Sequence, residues 1–285
     1  MKRKNGKIAI TIAAIMIMCT AMITGCGKKA GDEEICVISR EDGSGTRDAF
    51  TELLGIMENN VDNTTVNAEI TNSTSVMMTT VAGNTEAIGY VSLGSLNDSV
   101  KAIKVDGVGA TTDNVSNGDY AVARPFNIVT DDEVSENAQD FINFIMSKEG
   151  QAIIREEGYI SVGGDSSYTV SGLTGTVTLA GSTSVAPVME KIAEKYMELN
   201  AGVTIEIQQS GSGAGITSTI EGVCDIGMSS RDLKENEIAE GVSSTKIAMD
   251  GIAVIVNVDN AVDDLTSEQI KDIFVGKTTK WSEVQ

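Results

Sequence analysis

The chain has 285 residues, 41% hydrophobic and 22% charged, with a formal net charge of −20. That is a globular composition with room for two ordinary domains or one bilobal unit, and its charge argues against nucleic acid or an anionic membrane face as partner. With no histidine and only 4% aromatics, the chain lacks the commonest general base and metal ligand, and ring stacking is ill-suited as its main mode of binding.

In chain order, a targeting segment comes first. Met1-Lys2-Arg3-Lys4 with Lys7 is a basic stretch, and Ile8 to Ile23 is apolar. Ile23-Thr24-Gly25-Cys26 then places small residues before a cysteine, the pattern of a bacterial lipobox. On this reading residues 1–25 are a lipoprotein signal peptide, Cys26 carries the lipid, and residues 26–32 are a lipidated tether on the extracytoplasmic face of the cell membrane. A plain signal peptide or an uncleaved anchor is the alternative. Cys19 leaves with the signal, so Cys36 and Cys224 remain, each in an apolar strand-like run. Two buried free thiols are expected there rather than a disulfide.

Ile35 to Ser39 reads as a strand, and Arg47 to Asn59 has helical spacing through Phe50, Leu53, Leu54 and Met57. Ala87 to Val91 is a strand. Ala138 to Glu156 reads as one helix, with Phe141, Ile142, Phe144, Ile145, Ile153 and Ile154 on its apolar side. Gly163 to Gly175 is polar and glycine-rich, and reads as a linker. Beyond it come a strand at Val177 to Ala180 and a helix at Pro187 to Leu199 with proline in its first turn. A strand at Val203 to Gln208, a helix at Ile216 to Glu221, a buried strand at Ile252 to Asn257 and a helix at Ser267 to Phe274 follow. The alternation is α/β. A weak echo between Val81–Ser92 and Ile220–Ser230 is what two lobes of similar design would leave.

Three strand-to-helix turns are rich in Gly, Ser and Thr: Arg40 to Thr46, Gly181 to Pro187 and Ser210 to Gly215. A fourth, Gly227 to Arg231, adds a cation. Each would set hydroxyls and free backbone N–H groups at a helix N-terminus, where the helix dipole favours an anion. Ser and Thr also cap helices when nothing binds, so it is the four turns together, with two arginines, that point to an anion site. None has the Gly-Lys-Ser/Thr of a nucleotide-binding loop. A phosphatase would need a nucleophile with a general acid or a metal cluster, and neither is visible. The chain is expected to be no enzyme and to hold no cofactor or metal.

The runs "VISREDGSGTRDAF", "LAGSTSVAPVMEKIAEKY", "QQSGSGAGI", "DIGMSSRDLKENE", "DGIAVIVN" and "LTSEQIKDIFVGKTTKWSEV" resemble the phosphate-binding lipoproteins of bacterial ABC phosphate importers. With "FINFIMSKEGQAII", the resemblance covers nearly all of the mature chain. It implies the two-lobe periplasmic-binding-protein fold, type II-like, with an oxyanion in the cleft and the importer's permease subunits as partners. In that family the GSTSVAP segment comes first and the REDGSGT segment opens the second half. Here the order is reversed, as in a circular permutant whose old termini are joined through Gly163 to Gly175. A truncated or misassembled tandem gene is the alternative. The permutant would have a split lobe of residues 33–96 and 257–285, and a continuous lobe of residues 97–256 containing the linker 163–175.

The resemblance also implies roles. Arg40 would make a charge-assisted contact to phosphate oxygens, and Ser44, Gly45 and Thr46 would donate at a helix start. Thr183, Ser184 and Ser212 would donate from the other lobe, with Ser210 and Arg231 as secondary candidates. Asp42 would orient Arg40. Some members have an aspartate that accepts the proton of hydrogen phosphate; Ser230 stands at the matching position, which discriminates less by repulsion unless Asp42 or Asp225 supplies the acceptor. The function expected is capture of inorganic phosphate and delivery to an ABC importer. A binder of sulfate or molybdate, or a phosphate-sensing lipoprotein that does not transport, is the alternative.

Overall fold

The computed structural model describes residues 33–59 and 61–284. The expected signal peptide, the Cys26 lipidation site and the tether lie outside them.

The strands of two lobes are laid down in turn along one sheet path. The chain opens with β1 (Cys36–Arg40), the hairpin of β2 (Met57–Glu58) and β3 (Val61–Asp62), then β4 (Glu69–Thr71) and β5 (Ala87–Ser92). β1 lies between β4 and β5, parallel to both. Short strands β6 (Val100–Ala102) and β7 (Lys104–Val105) precede β8 (Ala123–Thr130), the first crossing between the lobes. The second lobe holds β9 (Ile160–Ser161), β10 (Gly175–Gly181), β11 (Val203–Gln209) and β12 (Ile226–Ser229), with β10 parallel to β11 and β12 on either side. β13 (Ser243–Asn257) crosses back, and β14 (Asp264–Leu265) pairs with β7.

β13 joins the lobes. Its residues 243–251 pair antiparallel with β8, and residues 252–256 pair antiparallel with β5. The run Ile252-Ala253-Val254-Ile255-Val256 is fully buried, as a β-branched strand covered on both faces should be. β8 escapes sequence reading because Arg124 and Pro125 interrupt its apolar pattern. Pro125 is tolerated because only β13 pairs with it, β12 taking β8 at residues 127–129.

Each lobe has its own core. One holds Phe141, Phe144, Val177, Leu179, Ile192 and Tyr196. The other gathers Phe50, Tyr90, Val254, Ile273, Phe274 and Trp281 from both ends of the described chain. Phe50 stacks on Tyr90 with ring centroids 3.9 Å apart, and Phe274 meets Phe50 edge-on at 4.8 Å. Burying each such side chain contributes roughly 1.5–3 kcal/mol. The segment 97–122, expected in the continuous lobe, packs in this second core instead. Ile103, Val105, Val115, Tyr120 and Val122 bury there, and β6 pairs with β13 beyond the crossing. The lobes therefore change at β8, not near residue 97.

The expected helix over 138–156 is two helices, Glu136–Ile145 and Lys148–Glu156. Ser147 separates them: its Oγ donates to the Phe144 carbonyl and accepts from the Gly150 amide, capping the second helix. The linker 163–175 runs along the surface of the lobe that contains both helices. Tyr168 packs against Phe144 and Tyr196, and the Tyr168 and Ser171 hydroxyls donate to Asp140 Oδ2 over 2.5 and 2.8 Å. At the other junction the two ends of the described chain are paired. Glu34 bridges Lys280 antiparallel, and the Ile35 amide donates to the Thr279 carbonyl over 2.8 Å.

Cys36 and Cys224 are free thiols, half-buried rather than buried, and burial pushes both thiols up from their ordinary pKa. Among the described residues no helix is long and apolar enough to cross a membrane.

Candidate functional site

The turns singled out by composition follow β1, β10, β11 and β12, so they gather at the carboxyl ends of the parallel strands. That is where open α/β sheets hold ligands. Four helices start there: Gly45–Leu53 and Thr74–Ala82 from one lobe, Ala186–Leu199 and Ser212–Ile220 from the other. Their first amides have no acceptor within the helix.

The two lobes meet through these turns. Thr46 Oγ1 lies 2.9 Å from Ser184 Oγ, and Arg40 Nη2 donates to Thr183 Oγ1 over 3.0 Å. The Gly213 amide donates to the Gly43 carbonyl over 2.9 Å. Gly45 sits against the opposite lobe so closely that a Cβ there would run into Ser212 Oγ and lie 2.9 Å from Ser230 Oγ. Only glycine allows that approach. Ser182 donates to Ser230 Oγ over 3.0 Å, and Ser212 Oγ lies 3.3 Å from the same hydroxyl. Arg40, Ser44, Thr46, Thr183, Ser184, Ser212 and Ser230 are all buried. Ser44 also caps its helix, accepting from the Arg47 amide.

Other candidates lie apart. Ser210 is exposed, and its amide donates to the Gly181 carbonyl, shaping the loop. Asp42 is exposed and accepts from the adjacent Gly43 amide. Glu41 takes the orienting part expected of Asp42, accepting from Arg40 Nε over 2.7 Å and Nη2 over 2.8 Å. Asp225 stands at the opposite end of β12 and accepts from the Thr178 amide and hydroxyl. Arg231 turns away from the hydroxyls. Its guanidinium reaches Asp48 of the other lobe at 2.9 Å and Glu237 at 2.7 Å, and Lys234 reaches the same Asp48 oxygen at 3.0 Å. That is an ion-pair latch across the lobes.

Sequence reading missed Thr74, which lies within 3.3 Å of Thr183 Oγ1 and 3.2 Å of Ser184 Oγ, and 3.5 Å from Arg40 Nη1. The signal was available: Ser73-Thr74-Ser75 directly precedes an apolar run, and Ser73 caps the helix it opens. Tyr90 steadies the base of the Arg40 turn, accepting from the Arg40 amide over 3.1 Å. Burial pushes its hydroxyl up to about 12, so it stays protonated.

A family model described as a PBP superfamily domain matches residues 4–149 and 166–285. The chain is 49% identical over 290 residues to the phosphate-binding protein PstS 2 of Streptococcus agalactiae serotype V, covering 99% of both. The chain belongs to the PstS family of the PBP superfamily. Among solved structures, a phosphate-binding protein of a phosphate ABC transporter from Streptococcus pneumoniae TIGR4 is 46% identical. It superposes with a TM-score of 0.71 over 89% of this chain and all of that one. The phosphate-binding protein PstS of Staphylococcus saprophyticus differs in how it matches. It is 39% identical over only 117 residues, 39% of this chain and 37% of that protein.

Proposed function

We propose that this protein captures inorganic phosphate between its two lobes and hands it, unchanged, to the permease of an ABC importer on the extracytoplasmic side of the membrane. The observation that carries this reading is the meeting of Arg40 with hydroxyls of both lobes at the carboxyl ends of the strands, in a chain 49% identical over its whole length to a phosphate-binding protein. The ligand would lie among Arg40, Ser44, Gly45, Thr46, Thr74, Thr183, Ser184, Ser212 and Ser230. An anion bridging the lobes stabilises the closed form by its differential affinity for it. Lipid on Cys26 would hold the protein at the membrane.

The reading includes a circular permutation. A chain with the order of its motifs exchanged can be matched to relatives in one segment at a time, which agrees with the two-fifths match to the Staphylococcus saprophyticus protein. A collinear match over 99% of the Streptococcus agalactiae protein argues against a misassembled tandem.

Isothermal titration of the mature domain with phosphate, then with sulfate, tests the function. Saturable one-to-one binding of phosphate, tighter than that of sulfate, is expected. Heat from sulfate alone would replace phosphate with another oxyanion.

A further inference from the structure

At the crossing of the two lobes, behind the anion loops, lies a buried ion pair. Arg124 is the second residue of β8, and Asp250 faces it in register on β13. Their side chains are 1% and 0% exposed, and Arg124 Nε and Nη2 donate to Asp250 Oδ2 over 3.4 and 3.2 Å. Just beyond Gly251, β13 leaves β8 for β5, so the pair marks the point where the chain passes between lobes.

Contacts reach it from both sides. Ser92, the last residue of β5, donates to Asp250 Oδ1 over 2.9 Å, and the Gly94 amide faces the same carboxylate. Toward the anion site, Arg124 Nη1 donates to the Ser230 carbonyl over 3.3 Å. The Ser230 amide in turn donates to Ser212 Oγ over 3.1 Å, so the residue is held on both sides. The guanidinium sits 5.4 Å from the Phe126 ring, against which Tyr159 packs, and a Cβ at Gly94 would overlap Tyr159. Its donors are thus engaged by Asp250 and the Ser230 carbonyl, with the Phe126 and Tyr159 rings packed alongside.

A buried ion pair adds little stability over an apolar pair of the same size, because desolvating two charges offsets their attraction. Its geometric effect is larger. We propose that Arg124, held by Asp250, is a positioning residue for the anion site, fixing the Ser230 peptide and so coupling the hinge to the aim of the Ser230 hydroxyl. The ligand in this proposal rests on the phosphate reading; the coupling does not.

Arg124→Lys keeps a charge beside Asp250 but loses the reach to Ser230. With the fold checked by circular dichroism, it is expected to raise the phosphate Kd about ten-fold, equivalent to about 1.4 kcal/mol. In a Ser230→Ala background the same substitution should change Kd less than about two-fold, since the group it positions is gone. Without ligand, the Arg231 amide resonance, whose nitrogen bonds to the Ser230 carbonyl carbon, should shift in an assigned spectrum. If Arg124→Lys fails to fold, Asp250→Asn carries the same three measurements. An unmoved Arg231 amide, or full additivity with Ser230→Ala, overturns the proposal. A wild-type protein that ignores phosphate sinks the phosphate reading, while the amide shift still decides this one.

Discussion

Arg40 is the one guanidinium that reaches the hydroxyl cluster among the described contacts, and it is only 2% exposed. Two of its donors are directed at Glu41, so the carboxylate fixes the plane of the fork while the remaining donors face Thr183 and Thr74. Arg40→Ala is expected to weaken phosphate binding by about 2–5 kcal/mol, because a desolvated anion loses its charged partner; titration of the variant checks this. On the phosphate reading, Ser230 would be the position that sets selectivity. Its hydroxyl is packed by Ser182, Ser212 and Gly45, so Ser230→Asp should weaken both anions by crowding. Sulfate should lose more, since only hydrogen phosphate can donate a proton to the new carboxylate. Equal losses for phosphate and sulfate in paired titrations would place that carboxylate away from the ligand. At this scale the motifs picked out side chains that the fold brings together, Arg40, Thr46, Ser184 and Ser212. They did not show that Asp42 and Arg231 turn elsewhere, because a carboxylate two residues from an arginine and a cation beside a serine say nothing about where side chains point.

Among elements, the turn after β12 and helix Gly45–Leu53 carry the latch. Asp48 and Arg231 come from different lobes and are buried against each other, with Lys234 and Glu237 completing the set. A contact made by both lobes would be lost if they separated, so it is expected to favour the arrangement in which they meet. Asp48→Asn should weaken phosphate binding by about 1–3 kcal/mol through faster release, and leave the phosphate-to-sulfate ratio unchanged. Stopped-flow release together with the two titrations separates a latch from a ligand contact, which would alter the ratio. The crossing strands set a pH dependence. Burial pushes the Asp250 carboxyl up to about 6, against the pull of Arg124 and Ser92. The folded form then holds a proton that the unfolded chain has released between pH about 4 and about 6. This residue's contribution to stability therefore falls as pH rises through that window. Asp62 and Glu237 act oppositely. Burial would raise both, but hydrogen bonds from Thr64 and Arg47 and from Arg231 hold them below the usual range, so their stabilisation is lost as pH falls below about 4. Urea unfolding of the wild type and Asp250→Asn at pH 5, 6 and 7 should show the wild type losing ground to the variant as pH rises. Periodicity made most strands and helices legible. The crossing strand β8 and the break at Ser147 were hidden because a buried arginine, a proline and a helix cap read locally as interruptions of pattern.

For the whole molecule, the question is whether the order of segments matters to the fold. The core that holds Phe50 and Phe274 is built from residues far apart in the chain, and Glu34 and Lys280 pair as neighbouring backbone. The Trp281 amide donates to the Glu33 carbonyl over 3.4 Å, so a short bridge from Val284 to Glu33 would span little distance. At the other junction, Asp140 holds the linker through Tyr168 and Ser171, and the Lys148 amide holds it through the Ser166 carbonyl. Just beyond Ser171, Gly172 is exposed, before Leu173 packs back on the core. Gly172 has φ +71° with nothing close to its Cβ position, as suits a turn in open space. A chain opened between Ser171 and Gly172 keeps both Asp140 anchors on one side of the cut. Joined from Val284 to Glu33 by a few glycines and serines, it would regain the order found in the resembling family. The rearrangement exchanges one short loop closure for another, and closure entropy changes by only about 0.6 kcal/mol for each doubling of loop length. The reordered domain should therefore fold with urea stability within about 1–2 kcal/mol of the original and bind phosphate within about three-fold. Contacts at the anion site do not involve either junction, so affinity should be less sensitive than stability. A reordered chain that stays unfolded, or one that folds without binding phosphate while the original binds it, would mean that segment order is part of how this site is built.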